Sequence, residues 1–221
     1  KKPTCTPPET MTLLFDSNVS AGARRAPPSA GPALQVPVVS GNVSFYNETN
    51  GVSIYPTPMI GMVGLIEEAD RTLTQWFKQA DDDILLLGET KEDLGGTEYL
   101  KVAHAREQGS PPLLNMETER ALHACVLRLA REGLLQSAHD CSDGGLAVAL
   151  AECCISSPGV RLGAVIQLPN SRFRRDAVLF GESQSRIVVS VTPEHRDAVI
   201  RIARDCGVPV SVIGTVGGER L

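Results

Sequence analysis

One short apolar run constrains the fold of this chain more than any other feature of its sequence. Ile84–Leu87 is continuously apolar, follows the three aspartates Asp81–Asp83 and precedes Gly88. Such a run, bounded by polar and turn residues, is typical of a strand that is buried on both faces of a sheet. We therefore place a domain boundary at this junction and assign residues 81–221 to one domain.

Helix and strand signals follow one another downstream of this run. The clearest helix covers residues 116–134, where Leu122, Val126 and Leu129 form one apolar stripe behind the candidate N-cap Asn115. A similar pattern predicts a helix at 193–206, where Thr192 is a candidate cap and Pro193 suits the first helical position. Weaker patterns predict helices at 97–106, 144–156 and 171–180, and strand candidates lie at 161–168, 186–191 and 208–216. This order predicts an α+β domain, with helices packed on a mixed β-sheet.

The bulk composition argues against several classes of function. A formal net charge of -5 leaves no excess of Lys and Arg for the phosphate backbone, so we expect no nucleic-acid partner. No stretch approaches the roughly 18 apolar residues of a membrane span, and no secretory signal is apparent. The six cysteines contain no C-x-x-C pair. We expect reduced cysteines and a cytoplasmic protein, with secretion as the alternative because Asn18, Asn42 and Asn47 match the glycosylation pattern.

The chain before the boundary divides into two parts. Residues 1–35 hold six of the fifteen prolines and show no helical or strand period, so they remain unassigned and irregular. Residues 36–80 contain two apolar strand candidates, Val36–Val39 and Met59–Ile66. We expect ordered structure to begin at Val36.

Four glycine-bearing turns carry the residues that could perform chemistry: Ser40–Ser44, Leu94–Glu98, His139–Gly145 and Phe180–Arg186. Glycine lets backbone approach a ligand closely, and the neighbouring side chains are of types that bind phosphate or a metal. None of the four matches a P-loop or a dinucleotide fingerprint. An ordinary structural turn remains the alternative reading for each of them.

The first turn offers a neutral oxygen from Asn42 to a hard cation and a hydroxyl from Ser44. In the third turn, Ser142 or Asp143 is expected to cap a helix whose first N–H groups form an anion site beside His139 and Asp140. The alternative for the first turn is that Asn42 only shapes a tight turn. The alternative for the third turn is that Asp140 and Asp143 only cap the helix and that His139 is a hydrogen-bonded structural histidine.

In the fourth turn, Glu182, Gln184 and Arg186 stand between a predicted helix and a predicted strand. They either face a cleft or end the helix in water. The second turn has a simpler reading, because Thr97 is a suitable cap for the helix that follows it.

Six motifs follow one another along the chain: Val36–Thr49, Pro56–Pro58, Leu85–Thr90, Leu94–Tyr99, His139–Leu146 and Gly181–Arg186. In this order they resemble the large, ATP-using subunit of the phosphoribosylformylglycinamidine synthase family, within the wider AIR-synthase-related superfamily. The resemblance runs from Val36 to the end of the chain and corresponds to the C-terminal portion of that subunit. The resemblance implies that residues 36–80 are the tail of an AIR-synthase-like N-terminal domain and residues 81–221 an AIR-synthase-like C-terminal domain.

The resemblance also implies a reaction and its partners. In this family ATP activates the amide oxygen of formylglycinamide ribonucleotide, and ammonia derived from glutamine then displaces phosphate to give the amidine. Mg²⁺ suits this chemistry because it neutralises the rearranging phosphates. The implied partners are the substrate formylglycinamide ribonucleotide, a glutaminase subunit and a small bridging subunit.

Residue roles follow from the resemblance by motif position. Gly41 resembles the family's ATP-contacting glycine, Asn42 its Mg²⁺ ligand and Ser44 a substrate-contacting serine. The family's catalytic histidines belong to its N-terminal half, so we assign no catalytic residue and expect the chain alone to be inactive. A further nucleotide or phosphate site is expected at His139, Asp140, Ser142, Asp143, Glu182 and Gln184.

Two departures from the family lead to a further hypothesis: residues 1–35 do not resemble the helix that the family places before Val36, and the chain stops at Leu221, short of the family's usual end. The Pro, Ala and Arg bias of residues 1–35 is what a shifted reading frame of a GC-rich gene would give, so we hypothesise a partial or frame-damaged coding sequence.

Two other functions stay open. One is another enzyme of the superfamily, such as AIR synthetase, selenophosphate synthetase or thiamine monophosphate kinase, and the other is a non-catalytic domain for nucleotide binding or assembly.

Overall fold

The structure is a computed structural model that describes residues 48–53, 64–66, 69, 72–218 and 220. The predicted strand Val36–Val39 lies outside these residues, as does most of Met59–Ile66. The described end of the latter, Gly64–Ile66, is not in a strand. Glu48–Thr49 (β1) and Val52–Ser53 (β2) form a short antiparallel hairpin. Asn50 and Gly51 turn it with positive φ angles, as two-residue hairpin loops require.

A five-stranded sheet organises the rest of the described chain. Its strands have the spatial order β4-β6-β3-β7-β5, which places β3 at the centre. The sequence predicted a mixed sheet, but all four pairings are antiparallel. That part of the prediction is wrong for the described sheet. The strands are β3 (Asp83–Leu87), β4 (Ser137–Asp140), β5 (Ala164–Ile166), β6 (Ile187–Val191) and β7 (Val210–Val216).

Helices cover both faces of this sheet, which confirms the α+β class. They are α1 (Glu98–His104), α2 (Met116–Arg131), α3 (Gly145–Ile155), α4 (Arg175–Phe180) and α5 (Pro193–Asp205). All five match predicted helices to within a few residues. Within the part of the chain that the structure describes, no helix is long and apolar enough to cross a membrane.

The central strand β3 supports two hydrophobic cores. Leu85 and Leu87 pack on the face covered by α2 and α5, whereas Ile84 and Leu86 pack on the face covered by α3. All five residues of β3 are buried, as the sequence predicted. Burying each of these aliphatic side chains stabilises the fold by roughly 1.5–3 kcal/mol.

The two long amphipathic helices begin where the sequence indicates. The side chain of Asn115 accepts hydrogen bonds from the backbone N–H groups of Glu117 and Thr118 and so caps α2. The buried positions of α2 include the predicted stripe of Leu122, Val126 and Leu129. In α5, Pro193 occupies the first turn. These helices therefore take their positions from local sequence signals.

Candidate functional site

The antiparallel register brings three chain segments to one end of the sheet. Ile187, the first residue of β6, pairs with Leu87 at the end of β3 and with Asp140 at the end of β4. The turn before β6 therefore lies beside the segments that leave β3 and β4. Three of the four glycine-bearing turns meet here, and we call this region the turn cluster: residues 88–98, 139–145 and 181–186.

Glu182 connects the three segments of the turn cluster. Its carboxylate Oε1 accepts hydrogen bonds from the backbone N–H of Glu98 at 2.9 Å and from that of Gly144 at 2.8 Å. These N–H groups belong to the start of α1 and the start of α3. Burial raises the pKa of Glu182, and the two N–H donors only partly oppose this effect. One carboxylate thus occupies the position where the sequence predicted an external anion.

The start of α3 differs from the prediction. Gly144, not Ser142 or Asp143, is the N-cap residue, so the capping position itself carries no side chain. Gly144 and Gly145 both have positive φ angles, and a Cβ on Gly145 would lie 2.4 Å from the carbonyl oxygen of Gly181. The close approach of the Gly181 backbone therefore requires glycine at position 145. The hydroxyl of Ser142 donates to Asp140 instead of to a helix N–H.

His139 is held between two carboxylates. Its Nε2 lies 2.8 Å from Glu152 Oε2, and its Nδ1 lies 3.5 Å from Asp140 Oδ1. Burial opposes the charged imidazolium, but the hydrogen bonds to Asp140 and Glu152 outweigh burial and raise the pKa of His139. The hydrogen bond from His139 in turn lowers the pKa of Asp140. This arrangement favours a charged histidine that is internally paired.

Arg186 fixes the backbone of the fourth turn from inside the protein. It is 2% exposed, and its guanidinium donates to the carbonyl oxygens of Ser183 at 3.0 Å and Gly181 at 2.6 Å. A third bond reaches the hydroxyl of Thr90 at 3.3 Å. Arg186 therefore does not face a cleft; it stabilises the turn that presents Glu182.

Helix α2 reaches the same turn through a second carboxylate. Glu119 accepts a hydrogen bond from the hydroxyl of Ser185, a non-glycine residue with φ of 61°, and pairs with His123 at 2.8 Å. Burial opposes ionisation of Glu119, but the bonds from His123 and Ser185 outweigh it and lower its pKa. No local pattern signals the contacts of Glu98 with Glu182, of Glu119 with Ser185 or of Glu152 with His139, because the partners are distant in sequence.

The six predicted residues of the turn cluster thus form two neighbouring groups. His139, Asp140 and Ser142 are linked by hydrogen bonds, and Glu182 is electrostatically coupled to Asp143. Gln184 is exposed, and its amide donates back to the carbonyl of Glu182 at 3.3 Å. Their carboxylates make the region acidic, so a phosphate would need a cation or additional donors to bind there.

Gly41, Asn42 and Ser44 lie outside the described residues, so the geometry of the predicted ATP, Mg²⁺ and substrate contacts stays a prediction. Among the residues that the structure describes, no group of three or more His, Cys, Asp or Glu side chains could hold a metal ion.

A family model decides the family of this chain: the C-terminal domain of AIR synthase related proteins matches residues 79–221. The chain belongs to this AIR synthase related family. It is also similar to the curated phosphoribosylformylglycinamidine synthase subunit PurL of Anaeromyxobacter sp. (strain Fw109-5), with 50% identity over 196 residues. That match covers 86% of this chain and 25% of the relative.

Other comparisons show the same likeness. PurL of Moorella thermoacetica is 48% identical over 188 residues, which cover 85% of this chain and 25% of the relative. Phosphoribosylformylglycinamidine synthase II of Thermotoga maritima has the same fold, with a TM-score of 0.56 at 23% identity over 68% of this chain and 24% of that chain. The predicted resemblance is confirmed. The chain of this AIR synthase related protein spans about a quarter of the length of the relatives it matches.

Proposed function

We propose that this chain is the C-terminal part of a PurL-type phosphoribosylformylglycinamidine synthase that acts in purine biosynthesis. The observation that carries the proposal is the identity of 47–50% with proteins of that name over 86% of the chain. Identity at this level extends over most of the chain. It favours this synthase over other superfamily enzymes.

The proposed reaction is an ATP-dependent ligation. ATP phosphorylates the amide oxygen of formylglycinamide ribonucleotide, and ammonia attacks the activated carbon and expels phosphate. Solved structures of Thermotoga maritima PurL are described as complexes with ATP and with FGAR, which is the abbreviation of this substrate. These names support ATP and formylglycinamide ribonucleotide as ligands of the complete enzyme.

Within this chain we assign contacts to the first turn. Gly41 would contact ATP, Asn42 would supply a neutral oxygen ligand to Mg²⁺, and Ser44 would contact the substrate. Mg²⁺ would neutralise phosphate charge during the transfer. Because the family places its catalytic histidines outside this segment, we propose that the chain contributes binding groups and requires the remainder of the synthase for turnover.

Assembly with other subunits forms part of the same proposal. A solved structure named PurLQS from Thermotoga maritima supports a complex of PurL with further components. We propose that the partners are a glutaminase subunit, which releases ammonia, and a small bridging subunit. We propose that this complex assembles in the cytoplasm.

We also propose that residues 36–80 end an N-terminal domain and that residues 81–221 form the C-terminal domain.

A second function is favoured by a specific observation in the turn cluster. The N–H groups of Glu98 and Gly144 are already bonded to Glu182, and His139 is already paired with Asp140 and Glu152. Donors that are satisfied internally are not free for a nucleotide. We propose that His139, Asp140, Ser142, Asp143, Glu182 and Gln184 hold the domain together or bind nucleotide only after rearrangement, which would make the domain non-catalytic.

A segment exchange tests the first proposal. Residues 36–221 would replace the matching segment of Moorella thermoacetica PurL, and phosphate release would be measured with ATP, Mg²⁺ and ammonia. We expect release with formylglycinamide ribonucleotide and none with aminoimidazole-type or selenide substrates. A folded chimera that is active only with the other substrates would overturn the assignment, as would one that is inactive with all of them.

Calorimetry separates the two proposals. ADP with Mg²⁺ would be titrated into the wild-type chain, into Asn42→Ala and into Glu182→Gln. Binding that is lost in Asn42→Ala and retained in Glu182→Gln supports the nucleotide contact at the first turn. Binding that is lost only in Glu182→Gln supports a nucleotide site in the turn cluster, and no binding supports a purely structural role for that cluster.

A further inference from the structure

Two cysteines from different helices lie beside each other on one face of the sheet. Cys125 is in α2, and Cys206 follows the last residue of α5. Helices α2 and α5 pack against each other, and both cysteine side chains belong to the core that covers Leu85 and Leu87. Burial raises the pKa of Cys125, and the neighbouring Cys206 raises it further. Both cysteines are free in the structure. A disulfide requires Cα atoms within about 7 Å, so only neighbouring cysteines of this kind can form one.

The two thiols differ in their access to solvent. Cys125 is fully buried, whereas Cys206 is partly exposed and lines a cavity of about 310 Å³. Gly88, Ser185 and Pro209 also line this cavity. A small oxidant that enters it therefore meets Cys206 first. Cys141, Cys153 and Cys154 are buried on the opposite face, in the core under α3.

We propose that Cys125 and Cys206 form a modification site, at which a hydroperoxide converts the thiol pair into a disulfide between α2 and the end of α5. In the first step the Cys206 sulfur attacks the peroxide oxygen. The O–O bond breaks, Cys206 becomes a sulfenic acid, and an alcohol or water leaves. The peroxide is reduced by two electrons.

In the second step the Cys125 sulfur attacks the sulfur of the sulfenic acid. The S–S bond forms, the S–O bond breaks, and the hydroxide leaves as water with the Cys125 proton. Burial raises the pKa of Cys125 to about 12, so this residue enters the reaction as a neutral thiol and is a poor first target. The partly exposed residue is oxidised and the buried one resolves it.

Peptide mapping after peroxide treatment tests the proposal. The full chain would be treated with hydrogen peroxide, blocked with an alkylating agent and digested, while circular dichroism confirms that it stays folded. We expect a peptide that links Cys125 to Cys206, the loss of two of the six thiols, and reversal by dithiothreitol. Cys206→Ser should abolish the linked peptide, whereas Cys154→Ala should retain it.

Three results would overturn the proposal. The first is a folded wild-type chain in which Cys206 oxidises to sulfinic acid without any link to Cys125. The second is a link between other cysteines in place of this pair, and the third is full recovery of all thiols under treatment that oxidises free cysteine. Because the wild-type map does not depend on a variant, a Cys206→Ser protein that fails to fold leaves the test intact.

Discussion

The carboxylate of Glu182 accepts a 2.8 Å hydrogen bond from the backbone N–H of Gly144, 38 residues earlier in the chain. The same oxygen accepts a second bond from Glu98, 84 residues earlier. Neither pairing is visible as a local sequence motif. The bonds place a negative charge at the start of α3, where a helix N-terminus favours an anion.

Replacing Glu182 should reveal the strength of this connection. Glu182→Ala leaves two N–H groups without their acceptor, so we expect the free energy of unfolding to fall by about 1–3 kcal/mol. Glu182→Gln keeps an acceptor oxygen and should cost less than the alanine variant. Urea unfolding of both variants measures the difference. Equal losses for alanine and glutamine would contradict the proposed role of the acceptor oxygen.

Asp82 gives a pH-dependent prediction. It is 1% exposed, and within the described residues neither carboxylate oxygen has a hydrogen-bond partner. Burial, with smaller contributions from Asp83, Glu194 and Asp81, raises its pKa to about 6. The folded state therefore holds a proton that the unfolded state releases above its ordinary pKa of 3.8. Stability from this group falls as the pH rises between these two values.

Asp82→Asn should remove the loss of stability that ionisation of Asp82 causes at higher pH, while keeping the shape of the side chain. We expect the variant to exceed wild type in unfolding free energy at pH 7–8 by about 1–3 kcal/mol, and to lose this advantage near pH 4. Asp81→Asn is the matched control, because Asp81 is exposed and has a positive φ angle that asparagine tolerates. A constant difference across the pH range would contradict the prediction.

His139 should also lose its stabilising contribution as the pH rises, although its protonated form is a cation. Because its pKa is raised by Asp140 and Glu152, its stabilising contribution is fully present below its ordinary pKa of 6.5 and is lost as the pH rises through the folded pKa. Glu152→Gln should lower the pKa of His139, which an NMR titration of the imidazole measures directly. An unchanged titration midpoint in that variant would exclude Glu152 as a partner in solution.

Arg186 should matter more to stability than an exposed arginine. Arg186→Met removes three hydrogen bonds from a buried guanidinium, so we expect a loss of about 3–5 kcal/mol in unfolding free energy. The matched control is Arg128→Met, which removes an exposed ion pair to Glu132 and should cost less than about 1 kcal/mol. Similar losses in the two variants, measured by urea unfolding, would contradict the assigned role of Arg186.

The described fold follows the sequence where local signals are strong. The apolar run Ile84–Leu87 correctly predicted a strand buried on both faces, and Asn115 correctly predicted the start of α2. The sequence predicts no strand at Ser137–Asp140 and places only His139 and Asp140 in a turn, because this strand is short and lacks β-branched or aromatic residues. Its place in the sheet comes from pairing with β6, which a local pattern does not encode.

The sequence indicated which turns contribute to the turn cluster, but it did not predict the hydrogen bonds between them. The motifs His139–Gly145 and Gly181–Arg186 meet as expected for neighbouring functional turns. The satisfied donors at Glu98 and Gly144, however, depend on the backbone path set by Gly145 and Arg186. Long-range hydrogen bonds of this kind arise from tertiary packing. The assignments of Gly41, Asn42 and Ser44 remain predictions that rest on motif position.

Growth complementation tests the central claim most directly. The segment-exchanged Moorella thermoacetica PurL, carrying residues 36–221 of this chain, would be expressed in a bacterium that lacks PurL, on medium without purines. We predict that it restores growth and that the same chimera with Asn42→Ala does not, although both accumulate as folded protein. Failure of the folded wild-type chimera to restore growth would contradict the proposal that this chain supplies the C-terminal part of the synthase.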